Sequence, residues 1–327
     1  MANQTFSAGR YANIVYDKPF KLIVFKRGNE DLLIGILTLL IPDKNIVSLS
    51  FDDKEQHGES VSDKSAIFDV FCTSDNGEQF IVEMQNSEQD AFTDRMLCYA
   101  NYPIRAQLSA KLAEKERNPA SVIDYRLKPV YVVSLLNFAM QHESGSAVEH
   151  GMISRYDLRN AGNGELMTDA LHFVYLELDR LSVDMGEPQK CTSLLQQFAY
   201  SVKYMHRLKE MPKCFDNELL ERLYSASEFA NMTLRQQREY EETMRTILDD
   251  DAIKEFAWKK GLKEGREKGM AEGRAKGRTE GLAEGRAEGI KLRSVEIAKQ
   301  MLAKGISPET VAECTGLTAE EIKGLCD

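Results

Sequence analysis

The chain has 327 residues, 43% hydrophobic and 29% charged, with 52 Asp and Glu against 42 Lys and Arg and a formal charge of -10. That length leaves room for one large domain and an appendage, and the charge argues against a general nucleic-acid binder, whose phosphate contacts come from a basic surface. Six cysteines, at 72, 98, 191, 214, 314 and 326, form no C-x-x-C pair or other metal spacing. With no signal peptide, and with Leu32 to Ile41 as the longest apolar run, too short to span a bilayer, the expectation is a cytoplasmic protein without a membrane partner.

In chain order, Phe20 to Ile41, FKLIVFKRGNEDLLIGILTLLI, reads as an opening helix. Glu30 and Asp31 stand about 100° apart at the head of its apolar run, so only one can share the inner face. Either acid also favours a helix N-terminus.

Ile67 to Gln85, IFDVFCTSDNGEQFIVEMQ, reads as two strands about a turn at Asn76 and Gly77. Strand side chains alternate between faces, so loop length decides whether the acids meet. A two-residue loop sets Asp69 opposite Met84 and disperses the acids. A three-residue loop, Asp75-Asn76-Gly77, with its glycine left-handed, sets Asp69 opposite Glu83 and puts Gln85 on the same face. We expect the second register. Two carboxylates at adjacent cross-strand positions repel unless a cation neutralises them, and oxygen-only ligands suit Mg²⁺ or Mn²⁺. An ordinary exposed hairpin carrying Asp, Glu and Gln is the competing reading.

Asp90 to Ala113 reads as a helix, and VYVVSLLNF after Pro129 as a buried strand. Ile153 to Leu158 and Leu171 to Leu178 are two further strands. From Thr192 the pattern turns helical, through LLQQFAYSVKYM, ELLERLYSASEFANM and a charged run from Leu234.

Glycine then recurs at every fourth position from 261 to 289, eight in all. Each costs about 1 kcal/mol in helix propensity against alanine, so a stable lone helix is not expected. The choices are close packing against a second copy, a basic strip along nucleic acid, or a charged linker. From Lys254 to Arg293 twelve Lys and Arg face seven Asp and Glu, so the net charge is locally positive. Beyond it, Gly305, Pro308 at a helix start and a Thr318/Glu321 capping box mark three short helical pieces that read as a small helix-turn-helix. Its second piece lacks Arg, Lys, Asn or Gln to meet base edges, so packing or partner binding is expected of it.

These pieces together resemble the Rpn family of recombination-promoting nucleases and transposases, of the PD-(D/E)XK superfamily, over roughly residues 15 to 290. The resemblance rests on the opening helix, on Lys64 five residues before Asp69, and on IVEMQ. It is extended by FTDRMLCYANYPIRAQL, which matches an Arg/Tyr helix, by LKPVYVVSLLNF and by the glycine repeat. It implies an α/β, restriction-endonuclease-like core with a mixed sheet flanked by helices at 1–185. An α-helical extension at 186–250, a long glycine-every-four charged tail, helical or linker, at 251–293 and the small helix-turn-helix-like tail at 294–327 follow.

It further implies a Mg- or Mn-dependent DNA endonuclease. Asp69, Glu83 and the Met84 backbone carbonyl would be metal ligands, and Gln85 stands in the place of the catalytic lysine. Glu30 would be a further acid from the opening helix. Glutamine supplies only a neutral amide, so the missing charge is sought in Lys64 or Arg95, which are also candidate phosphate contacts. Water attack on a phosphodiester is the expected chemistry, with strand transfer differing only in nucleophile. The alternative is a catalytically weakened nuclease fold that binds DNA or protein. DNA and, through the glycine repeat, further copies of the chain are the expected partners.

Overall fold

The computed structural model describes residues 9–26, 28–51, 70–120, 122–141 and 151–325. Two compact units divide the chain, Met1–Ile247 and Leu248–Asp327.

In the first unit, helices α1 (Asp17–Val24) and α2 (Glu30–Leu40) precede the hairpin. The single opening helix expected from sequence is thus two. Gly28 adopts φ +95 between them, and the Asn29 side chain donates from Nδ2 to the Ile23 carbonyl at 2.7 Å. A left-handed residue cannot continue a right-handed helix, so the ladder stops there.

Strands β1 (Leu49–Phe51), β2 (Val70–Ser74), β3 (Gln79–Gln85), β4 (Val130–Leu136), β5 (Ile153–Asp157) and β6 (Leu171–Glu177) form one sheet in the order β1-β2-β3-β4-β6-β5. β3, β4 and β6 run parallel, while β1, β2 and β5 are antiparallel to their neighbours. The expected mixed sheet is present. β1, a three-residue edge strand, was not anticipated. β4 is buried along its whole length, as its Val-rich run of both-face apolar residues requires.

Helices cover both faces. On one side Val70, Cys72, Phe80, Val82, Met84, Tyr131, Val133 and Leu135 meet α1 and α2, together with α4 (Leu194–Tyr204), α5 (Glu218–Ser227) and the start of α6 (Leu234–Ala303). On the other, Phe71, Ile81, Val130, Val132, Leu136 and Tyr175 meet α3 (Phe92–Arg117) through Phe92, Met96 and Ala100. Each such fully buried large side chain contributes about 1.5–3 kcal/mol. Phe198, Tyr200, Leu220 and Leu223 of α4 and α5 lie in the same cluster as the sheet. No compact-unit boundary therefore falls at residue 185.

α3 carries Pro103, which removes the amide bond to the carbonyl four residues back. Below that gap, Gln107 donates to Gln79 Oε1 at 2.8 Å, and Lys111 donates to the Asp124 carbonyl at 2.7 Å. A second polar clamp stands at the end of β6. The Glu177 carboxylate, 0% exposed, accepts from Arg180 Nε at 2.6 Å, the Met140 amide at 2.8 Å and Ser154 Oγ at 2.7 Å.

In the second unit, α6 runs unbroken through all eight glycines, taking the helical rather than the linker form of the expected tail despite the propensity cost. Lys259–Glu255 at 2.6 Å, and looser i,i+4 pairs from Lys260, Lys268 and Lys276, support it. A Cβ built at any of these glycines meets nothing within 4 Å. The end of α6 packs with α7 (Pro308–Thr315) and α8 (Ala319–Lys323) around Ala298, Val311, Leu317 and Ile322. Gly305 is left-handed, Pro308 opens α7, and Thr318 with Glu321 forms the expected capping box.

Candidate active site

The hairpin loop has three residues. Gly77 takes φ +82, its amide bonds the Ser74 carbonyl at 2.9 Å, and the Ser74 amide bonds the Glu78 carbonyl at 2.9 Å. Asn76 Oδ1 accepts from the Glu78 amide at 3.1 Å and holds the turn. The resulting register pairs Val70 with Val82, Phe71 with Ile81 and Cys72 with Phe80, as the three-residue loop predicts. Asp69 and Lys64 lie outside the described residues.

On β3, Glu83 and Gln85 share the α3 face, and Met84 between them turns its side chain into the opposite layer, where it is 1% exposed. The Gln85 carbonyl accepts from the Asn137 amide at 2.8 Å, so the Met84 carbonyl points the other way in the sheet, toward β2. Glu83 is 2% exposed and pairs in register with buried Ser134 on β4.

Gln85 links this carboxylate to a cation. Its Nε2 donates to Glu83 Oε2 at 3.2 Å, and its Oε1 accepts from Arg95 Nη2 at 2.5 Å. The second Arg95 terminal nitrogen donates to Gln89 Oε1. The guanidinium carbon lies 5.9 Å from the ring centroids of both Phe92 and Tyr99, and Nε is shielded from solvent without a hydrogen-bond partner. A guanidinium cannot accept, so it fixes which end of the Gln85 amide it faces and leaves the NH₂ aimed at Glu83. Charge-assisted bonds of this kind are about twice as strong as neutral ones.

Arg95 is set in place by the turn from β3 into α3. Ala91, the residue before the helix, has φ +57, and its carbonyl accepts from the Arg95 amide at 3.0 Å. A left-handed alanine costs about 1–2 kcal/mol, strain of the kind that collects at functional sites. Sequence reasoning missed Ala91 and Gln89. Neither carries a periodic or compositional signal.

Glu30 is placed elsewhere. Its Oε2 accepts from the Gly28 amide at 2.8 Å, while Asp31 pairs with Arg222 of α5 at 2.8 Å. Both acids therefore serve the start of α2, whose apolar side packs on the sheet face opposite Glu83. Among the described residues no group of three or more His, Cys, Asp or Glu is arranged to hold a metal ion. No described helix is long and apolar enough to cross a membrane.

Two family matches follow this geometry. Residues 15–257 match the family described as PD-(D/E)XK nuclease family transposase, and residues 291–327 match the C-terminal HTH domain of the Rpn/YhgA-like nuclease family. Neither curated proteins nor solved structures gave a match. The match over residues 15–257 places the chain in the PD-(D/E)XK nuclease family of transposases, with an Rpn-type C-terminal domain, and the mixed sheet with helices on both faces agrees with it.

Proposed function

We propose that the chain is a metal-dependent DNA endonuclease in which Asp69 and Glu83 hold Mg²⁺ or Mn²⁺ with the Met84 carbonyl. The observation that carries this reading is the bonded series Glu83–Gln85–Arg95 on a strand whose described register extends toward Asp69. The nearly buried Glu83 carboxylate is a hard oxygen donor, which fits a hard divalent cation. When bound, such a cation supplies Lewis-acid polarisation of a phosphoryl oxygen and activation of water.

The chain's own residues do the rest. Arg95 lends its charge through the Gln85 amide, so a neutral glutamine works where the superfamily pattern has lysine. Lys64 contacts the phosphate backbone. Water and a DNA 3′ hydroxyl are both compatible nucleophiles, giving hydrolysis or strand transfer. A second reading, a nuclease fold reduced to binding, is favoured by the neutrality of Gln85 and by the prior engagement of both ends of its amide.

Incubation of the purified chain with plasmid DNA and Mg²⁺ or Mn²⁺ tests the proposal against an Asp69→Ala control. Nicking by wild type alone supports it. Equal cutting by both, or by neither, removes the hydrolytic assignment.

The glycine stripe of α6 is the proposed contact with a second copy, since its bare backbone permits close helix approach in solvent. Replacing the eight glycines by alanine should raise helicity and lower the sedimenting mass. An unchanged mass would remove the self-association reading.

A further inference from the structure

A cavity of about 340 Å³ opens at the C-terminal ends of the parallel strands β3 and β4, on the α4 side of the sheet, opposite the face that carries Glu83 and Gln85. Open α/β sheets bind ligands at such strand ends, and this volume falls at the lower end of the range that holds a small ligand, roughly 300–1,000 Å³. Its floor is Asn86 and Asn137, the first residues beyond β3 and β4. Its wall comes from the end of α4 and the turn after it, with Lys203, Tyr204, His206 and Arg207.

The chemistry of that lining is specific. Asn137 Nδ2 donates to Asn86 Oδ1 at 2.9 Å. That bond uses the Asn86 Oδ1 and the Asn137 Nδ2 and leaves the Asn86 NH₂ as a donor and the Asn137 Oδ1 as an acceptor, the two kinds of group that read the polar edge of a base. Lys203 is neutralised by Asp179 at 2.6 Å, whereas Arg207 has no ion pair among the described residues and keeps its charge for a phosphate. Tyr204 supplies an aromatic ring on which a base can stack. Buried His206 Nδ1 has no hydrogen-bond partner, and burial holds its imidazole below its ordinary pKa, so it enters as a neutral donor or acceptor.

We propose that this cavity is a nucleotide subsite that takes one unpaired nucleotide, with the base on Asn86 and Asn137 and the phosphate on Arg207. Asn86 directly follows Gln85, so a strand passing over the sheet end from the α4 side to the α3 side would join this nucleotide to the phosphodiester at Glu83. That placement rests on the nuclease reading; occupancy of the cavity does not.

The test is titration of the full chain with the four deoxynucleoside 5′-monophosphates and with inorganic phosphate, in wild type and in Asp69→Ala, Asn86→Asp and Arg207→Ala. Asn86→Asp keeps the acceptor used by Asn137 and removes the free donor. At least one nucleotide should bind tenfold or more tighter than phosphate, and Asn86→Asp should cut that ratio at least fivefold. Arg207→Ala should weaken nucleotide and phosphate alike, and Asp69→Ala should change neither. Phosphate binding as tightly as every nucleotide, or nucleotide affinity indifferent to both cavity variants, overturns the subsite. If wild type fails to cut DNA while this binding pattern holds, only the nuclease reading falls.

Discussion

The Arg95–Gln85 contact can be measured as a double-mutant cycle of Gln85→Leu and Arg95→Met. At 2.5 Å and half-buried, it is a charge-assisted bond worth about 1.5–3 kcal/mol. Arg95→Met also removes a shielded Nε that has no partner, whose desolvation costs about 1–3 kcal/mol. Those two effects nearly cancel, so Arg95→Met alone should be close to neutral. Gln85→Leu should be worse than neutral, because it takes the acceptor from the guanidinium and the donor from Glu83 together. The expected coupling is about 1.5–3 kcal/mol. Hydrogen exchange of the Val130–Leu136 amides in urea reads it within the first unit, free of the long helix. A coupling under about 0.5 kcal/mol, the ordinary error of additivity, would refute the linkage. DNA cutting should fall equally in both single variants and no further in the double.

Three more outcomes follow from described geometry. Glu177→Gln leaves Arg180, 17% exposed, beside a neutral amide that is itself fully buried and should cost at most about 3–5 kcal/mol. Calorimetry should show a drop of roughly 10 °C, at about 2–4 °C per kcal/mol for a unit of this size, and a loss under about 1 kcal/mol would contradict the clamp. Gly77→Ala should lower stability by about 1–2 kcal/mol because φ is +82, while Ala91→Gly should raise it by up to about 1 kcal/mol, both read as urea midpoints. The hydrogen bond from Lys291, with the Thr318 cap, holds the Glu321 pKa down to about 2 from 4.5. A depressed carboxylate stabilises the folded form fully above about 4.5 and loses that effect as pH falls through about 2. Protection of the Ile322 amide should decline over that window in wild type and stay flat in Glu321→Gln.

Much of the arrangement around Glu83 could be read from sequence because three local rules agreed there. A left-handed glycine fixed the loop length, alternation fixed the faces, and the Val-rich run after Pro129 marked β4 as a buried strand. Where one residue overrides a pattern, the reading failed. The apolar period continues across Gly28, yet its φ of +95 splits the opening helix. Long-range partners were equally hidden. Asp31 finds Arg222, 191 residues away, and Glu30 turns back on Gly28, so the acid expected at the site is spent at a helix start. In the glycine repeat, propensity alone argued against the helix that i,i+4 pairing supports.

Pro103 divides α3 into two stretches with separate duties. The stretch before it carries Arg95 to the end of β3, and the stretch after it ties Gln107 to the beginning of that same strand. A proline there leaves the helix a compliant joint midway between two attachments to one strand. A displacement of the Arg95 end of α3 would be taken up at that joint before it reached the tie between Gln107 and Gln79.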